Sequence, residues 1–187
     1  MLNYLIKIEY EGTHFVGWQS QKNGKSIQDS IEKVLKKILK TKIKITGAGR
    51  TDKGVHAFSQ HASFKVKKKI ENKKVFLDSA NYFLKNKLIS ILDVRKKTNN
   101  FHARHSAKLR TYEYLITNRQ GSLSINKNRA WHVKKKIDLN LMKKGDKIIE
   151  GSKEFKTFRE DACSTKKKKK KIYPIKISKV NEIIKIR

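Results

Sequence analysis

A single cysteine, Cys163, stands among the 187 residues, so no internal disulfide can form and a reducing compartment is the natural setting. Long apolar runs are also missing. Lys7 and Glu9 interrupt the apolar start Met1-Leu2-Asn3-Tyr4-Leu5-Ile6 before it reaches signal-peptide length, and no later run approaches the span of a membrane. These absences point to a soluble cytoplasmic protein with no membrane partner. Acid is the third scarcity, with 16 Asp and Glu against 47 Lys and Arg. A lone carboxylate in such a chain is therefore conspicuous wherever it sits among glycines and cations.

What is present in excess is positive charge, formally +31 with a pI near 10.3. Such a field favours a polyanionic partner such as nucleic acid, and binding of that kind weakens steeply with salt. Lys, Ile and Asn dominate together, as an A+T-rich genome would also produce, so charge alone assigns no function. Hydrophobic content of 37% is enough to pack a core in one large domain or two small ones.

Along the chain, residues 2–10 (LNYLIKIEY) alternate as a first strand, followed by a glycine-bounded aromatic loop, GTHFVGWQSQ. Ser26 with Asp29 three residues on forms a capping box, opening a helix whose Ile27, Ile31, Val34, Leu35, Ile38 and Leu39 share one stripe. Strands follow at 42–48 and ending at 61–66, then a helix over 73–86 with Val75, Phe76, Ala80, Phe83 and Leu84 on one face, then a strand over 88–94. Strand, helix, strand, strand, helix, strand is the split β-α-β pattern of ferredoxin-like units.

A second such unit starts with a strand over 108–117 that puts Tyr112, Tyr114 and Ile116 on one side. It continues with a helix at about 138–150 and two final strands joined by a turn near Asn181. The expectation is an α+β fold of two ferredoxin-like, RRM-like sheet units side by side around a central cleft, with domains 1–105 and 106–187. The second unit is expected to be incomplete, lacking its last helix and strand. Lys166 to Lys171, six lysines in a row, read as a solvated loop.

The lone carboxylate is Asp52, in GAGRTDKGVHA (47–57). Two readings of it are open. Asp52-Lys53-Gly54 is good turn chemistry, because Asp can bond its own backbone two residues on and Gly accepts positive φ. Alternatively the glycines let a substrate backbone approach a reactive acid whose charge Arg50 stabilises, which suits a nucleophile or base. The order of residues is not that of a Walker loop. His56, His61, His102 and His105 lack the cysteine or clustered carboxylates of a zinc site, so no metal is expected. Phe15 and Trp18 suit a core better than a base-stacking platform, although either use fits an aromatic beside a strand end.

Several stretches taken together resemble one family. EYEGTHFVGWQSQ (9–21), SIQDSIEKVL (26–35), GAGRTDKGVHA (47–57), NNFHARHSAKLRTYEYLITN (99–118) and EFKTFRE (154–160) are similar, in order and spacing, to the TruA-type tRNA pseudouridine synthases. The resemblance implies isomerisation of uridine to pseudouridine at positions 38–40 of the anticodon stem-loop, without a cofactor, by a homodimer whose partner is tRNA. It implies that Asp52 is the catalytic residue and that Arg50 pairs with it and helps hold the flipped nucleotide. Tyr112 would lie against the uracil, and Arg104 and Arg110 would contact RNA.

The chain also departs from the family pattern. Lys53 stands where alanine is usual, Lys85 to Ser90 replaces the usual L-P-x-D segment, and the expected closing segment after the last strand is absent from the sequence. Two rivals follow: a catalytically impaired descendant that still binds tRNA, and a basic ribosome-associated structural protein.

Overall fold

A computed structural model describes residues 1–154 and 169–187, which divide into two compact units, Met1–Arg110 and Thr111–Arg187. The first contains strand β1 (Leu2–Tyr10), helix α1 (Ile27–Leu39), β2 (Ile45–Gly47), β3 (Ala57–Val66), α2 (Lys73–Leu84), β4 (Ile89–Lys97) and the short helix α3 (Ala103–Ser106). Its sheet has the order β2-β3-β1-β4, antiparallel throughout. This is the sheet of a split β-α-β unit, as the element order predicts.

Alternation builds the core. Tyr4, Ile6, Ile8 and Tyr10 of β1 are buried, and Ile6 lies between Ala62 of β3 and Val94 of β4. The apolar positions of β4, Ile89, Ile91 and Val94, break the two-residue period because the register with β1 slips between Lys7 and Ile8. That bulge leaves Leu92 as the extra residue, exposed, and lets Val94 face the core. From the helices come Ile27, Ile31, Val34 and Leu35 of α1 and Phe76, Ala80 and Leu84 of α2. Burying each large aliphatic side chain stabilises the unit by roughly 1.5–3 kcal/mol. Val75, expected on the α2 face, is exposed instead, one position off the Phe76-Ala80-Leu84 stripe.

The Ser26 cap is the one the sequence predicts, and the Asn72 cap is an addition. Ser26 Oγ accepts from Asp29 N–H at 3.0 Å and donates to the Asp29 carboxylate at 2.7 Å, while Asn72 caps α2 through Val75 N–H.

The second unit contains β5 (Tyr114–Asn118), β6 (Trp131–Val133), α4 (Leu139–Ile149), β7 (Gly151–Glu154), β8 (Lys169–Ile172), β9 (Ile177–Val180) and β10 (Ile183–Ile186). One sheet runs β6-β5-β10-β9, and β7 pairs with β8 in a separate antiparallel ribbon. The turn between β9 and β10 has Asn181 at φ 53, and Asp138 caps α4 by accepting from Asn140 and Leu141 N–H.

Four expectations change here. The strand predicted over 108–117 begins only at Tyr114, because β10 offers partners from Tyr114 to Thr117 and, among the described residues, the residues before it have no strand partner. The strand predicted over 42–48 narrows to Ile45–Gly47. Lys169 to Lys171 belong to β8, where backbone pairing with β7 overrides the solvated-loop reading; Lys166 to Lys168 lie outside the described residues. Finally, β6 and the β7-β8 ribbon are additions to the predicted count. Cys163 and most of the EFKTFRE stretch also fall outside the described residues.

Candidate active site

The 47–57 stretch links β2 to β3, and its backbone is held at nearly every step. Ala48 N–H donates to His61 C=O at 2.7 Å, extending the β2-β3 ladder past Gly47. The carbonyl of Ala48 accepts from Arg110 Nε and Nη2 at 3.0 and 2.6 Å, and that of Gly49 from Gln60 Nε2 at 3.1 Å. Thr51 C=O accepts from Trp18 N–H at 2.9 Å, and Asp52 C=O closes a turn with Val55 N–H at 3.2 Å. Gly54, at φ 78, supplies the left-handed residue that this turn needs. For all its glycines, the loop is tied by hydrogen bonds.

Beneath the loop lies an aromatic floor. Tyr10 and Trp18 are buried with ring centroids 6.1 Å apart, and the Tyr10 hydroxyl bonds Thr51 Oγ1 at 2.8 Å. Burial raises the pKa of that phenol above its ordinary value, so it stays protonated and able to donate. Gly17 makes the close approach feasible: it has φ 116, and a Cβ there would stand 2.7 Å from Thr51 O. On the far side, His56 Nδ1 accepts from Gly12 N–H at 3.1 Å, and the Glu11 carboxylate lies 3.4 Å from the same nitrogen. Glu11 also accepts from the Thr13 hydroxyl. The 11–18 and 51–56 segments are thereby locked together.

In contrast to this backbone, the side chains of Arg50 and Asp52 are exposed. Among the described residues no ion pair joins them, so the charge pairing expected from sequence is not made in this conformation. Both are left free to meet a substrate. Phe15 and Trp18 are core residues, as their position beside a strand suggested, while His14 is exposed.

Tyr112 is 56% exposed and precedes β5 in the second unit. Arg104 is exposed on α3, and the Arg110 guanidinium is directed at backbone carbonyls, those of Ala48 and Arg104. Sequence reasoning missed the supporting set of Tyr10, Gln60 and the carbonyl-binding role of Arg110. Tyr10 and Gln60 look like ordinary strand residues, and no spacing signal announces them.

The histidines are dispersed. His102 and His105 have tilted rings with centroids 4.4 Å apart, with His102 Nδ1 accepting from His105 N–H, and His61 sits on β3 with its pKa lowered by burial and by Lys7. Among the described residues no three His, Cys, Asp or Glu side chains are grouped to hold a metal ion, and no helix is long and apolar enough to cross a membrane.

Comparison with known proteins adds an independent observation. The tRNA pseudouridine synthase family matches residues 6–106, from within β1 to the end of α3 and including the whole loop. The tRNA pseudouridine synthase A of Pelagibacter ubique is 51% identical over 166 residues, covering 89% of this chain and 68% of the relative. That of Anaplasma phagocytophilum is 39% identical over 187 residues, covering 99% and 76%, and that of Neorickettsia sennetsu is 40% identical over 162 residues, covering 87% and 67%.

Proposed function

The chain belongs to the tRNA pseudouridine synthase family, and from that membership we propose that it isomerises uridine to pseudouridine at positions 38–40 of the tRNA anticodon stem-loop, with Asp52 as the catalytic residue. The bond between uracil N1 and ribose C1′ breaks, the uracil turns, and its C5 bonds to C1′. One proton leaves C5 and one arrives at N1, so the product is an isomer and no co-substrate is consumed.

The observation that supports this reading best is the contrast within the 47–57 loop between a tethered backbone and an exposed carboxylate. A nucleophile or base must be presented at a defined place yet remain reachable, and a backbone held from four sides with a free Asp52 side chain satisfies both needs. Arg50, two residues away and equally exposed, supplies a cation for the carboxylate or for the phosphate of an extruded nucleotide. Extruding a base from a stem costs a few kcal/mol, which contacts to phosphate and stacking on an aromatic side chain can offset. The formal charge of +31 suits the first and Tyr112 the second, with Arg104 as a further cation for the RNA backbone.

In this reading the N-terminal unit carries the chemistry, and the working protein is a cytoplasmic homodimer that uses no cofactor. The similarities do not favour a descendant that only binds tRNA.

The test is to incubate the purified chain with an unmodified tRNA transcript carrying uridines at 38–40 and to map pseudouridine. Product at those positions is expected, and Asp52→Asn is expected to lower the rate by about 10²-fold or more while leaving tRNA affinity unchanged. Tight tRNA binding by the unaltered chain without product would overturn the proposal. Light scattering on the same sample tests the dimer.

A further inference from the structure

Arg110 was expected to face RNA, yet its guanidinium is spent on the protein. Nε and Nη2 both donate to Ala48 C=O, at 3.0 and 2.6 Å, and Nη2 also donates to Arg104 C=O at 3.1 Å. Of the five N–H donors of a guanidinium, that leaves the two on Nη1. The two carbonyls belong to different pieces. Ala48 begins the loop that carries Asp52, and Arg104 lies in α3, whose Ala103 N–H is itself anchored to Ser63 Oγ of β3 at 3.2 Å. Arg110 therefore closes a ring running from β3 through α3 and the guanidinium to the loop and back, through Ala48 N–H to His61 C=O and Gln60 to Gly49 C=O.

We propose that Arg110 is a positioning residue for the Asp52 loop. Resting on the reading of Asp52 given above, the inference adds how that residue is held. The planar fork satisfies both lone pairs of one carbonyl while reaching a second, which a lysine ammonium on a flexible stem does not reproduce. A phosphate contact would behave in the opposite way, because a lysine largely preserves it as a point charge. Arg110→Lys thus separates the two roles, and Arg110→Ala gives the reference for each.

The experiment uses the full chain and compares wild type, R110K and R110A in steady-state turnover of tRNA. It adds the salt dependence of tRNA affinity and hydrogen exchange of the 47–57 amides. For R110K, kcat is expected to fall by about 10- to 100-fold, the range in which a small misplacement of a reacting group is felt. KM and the salt slope should stay within error of wild type, and loop amides should exchange faster. If R110K restored wild-type kcat while R110A raised KM and reduced the salt slope by about one, Arg110 would be a phosphate ligand and the proposal would fail. Unchanged loop exchange in both variants would overturn it as well.

Should either variant not fold, Gly49→Val approaches the same clamp from the loop side. A Cβ at 49 already stands 3.4 Å from Arg110 Nε, so the added methyls would push the guanidinium off, and the same changes should appear in kcat and exchange. If the wild-type chain made no pseudouridine, the assignment of Asp52 would fail by itself, while the exchange measurements would still decide the clamp.

Discussion

Helices α1 and α4 make an instructive pair. Both are amphipathic, and each is capped by a side-chain oxygen accepting from the first turn, Ser26 in one and Asp138 in the other. Yet α1 buries Ile27, Ile31, Val34 and Leu35, whereas α4 has no buried residue among those described and leaves Leu141 and Ile148 exposed. The contrast extends to their units. The first has a continuous core from Tyr4 to Val94, while in the second the buried hydrophobic residues among those described are Ile116 and Ile184, adjacent on β5 and β10. Local propensity and capping suffice to wind a helix, but only a facing layer turns an apolar stripe into stability.

The largest expected effect separates the two stripes directly. Leu35→Ala should cost about 2–5 kcal/mol in chemical denaturation, because a fully buried side chain leaves a cavity, whereas Ile148→Ala should stay within about 0.5 kcal/mol. Equal losses would break the comparison.

The caps sharpen it next. Ser26→Ala should cost about 1 kcal/mol of global stability, since α1 cannot fray without disturbing the core. Asp138→Ala should raise amide exchange locally in α4 and leave the main unfolding transition in place.

The smallest effect is electrostatic. His61 on β3 has its folded-state pKa held below its ordinary 6.5 by burial and by Lys7, with Arg95 also opposing the charged form and Asp93 favouring it. Below pH 6.5 the unfolded chain then binds more protons than the folded one. Stability of the first unit should therefore fall as pH drops through this window and level off above it, and His61→Gln should flatten that slope. A slope unchanged by the substitution would remove His61 from the account.

Much of the first unit was legible in the sequence because its signals are periodic. Alternation marks β1, the 3.6-residue stripe and capping box mark α1, and the strand-helix order predicts the pairing pattern. The second unit was harder to read. Residues 108–113 continue the alternation of β5 but have no partner strand among the described residues, and a partner's reach cannot be read locally. The three residues of β6 pair in parallel with β5 across an intervening loop, and the lysines of β8 look too polar to pair.

At the site, an acid with glycine and arginine neighbours was readable in the sequence as a candidate. The restraints on it were not, because they come from Trp18, Gln60 and Arg110, which lie far away in the chain. Closeness in sequence suggests that Arg50 and Asp52 pair, yet among the described residues no ion pair joins them.

The strand order of the first unit also bears on how the chain emerges from a ribosome. β1 is made before either of its neighbours, since it is an inner strand lying between β3 and β4, and Asn3 donates to the carbonyls of Thr98 and Phe101. Until residues 89–97 have cleared the exit tunnel, β1 lacks one neighbour and Ile6 and Ile8 lack part of their cover. Synthesis at about 5–20 residues per second keeps this apolar edge open for several seconds. During that interval the like charge of the lysine-rich chain opposes contact between copies.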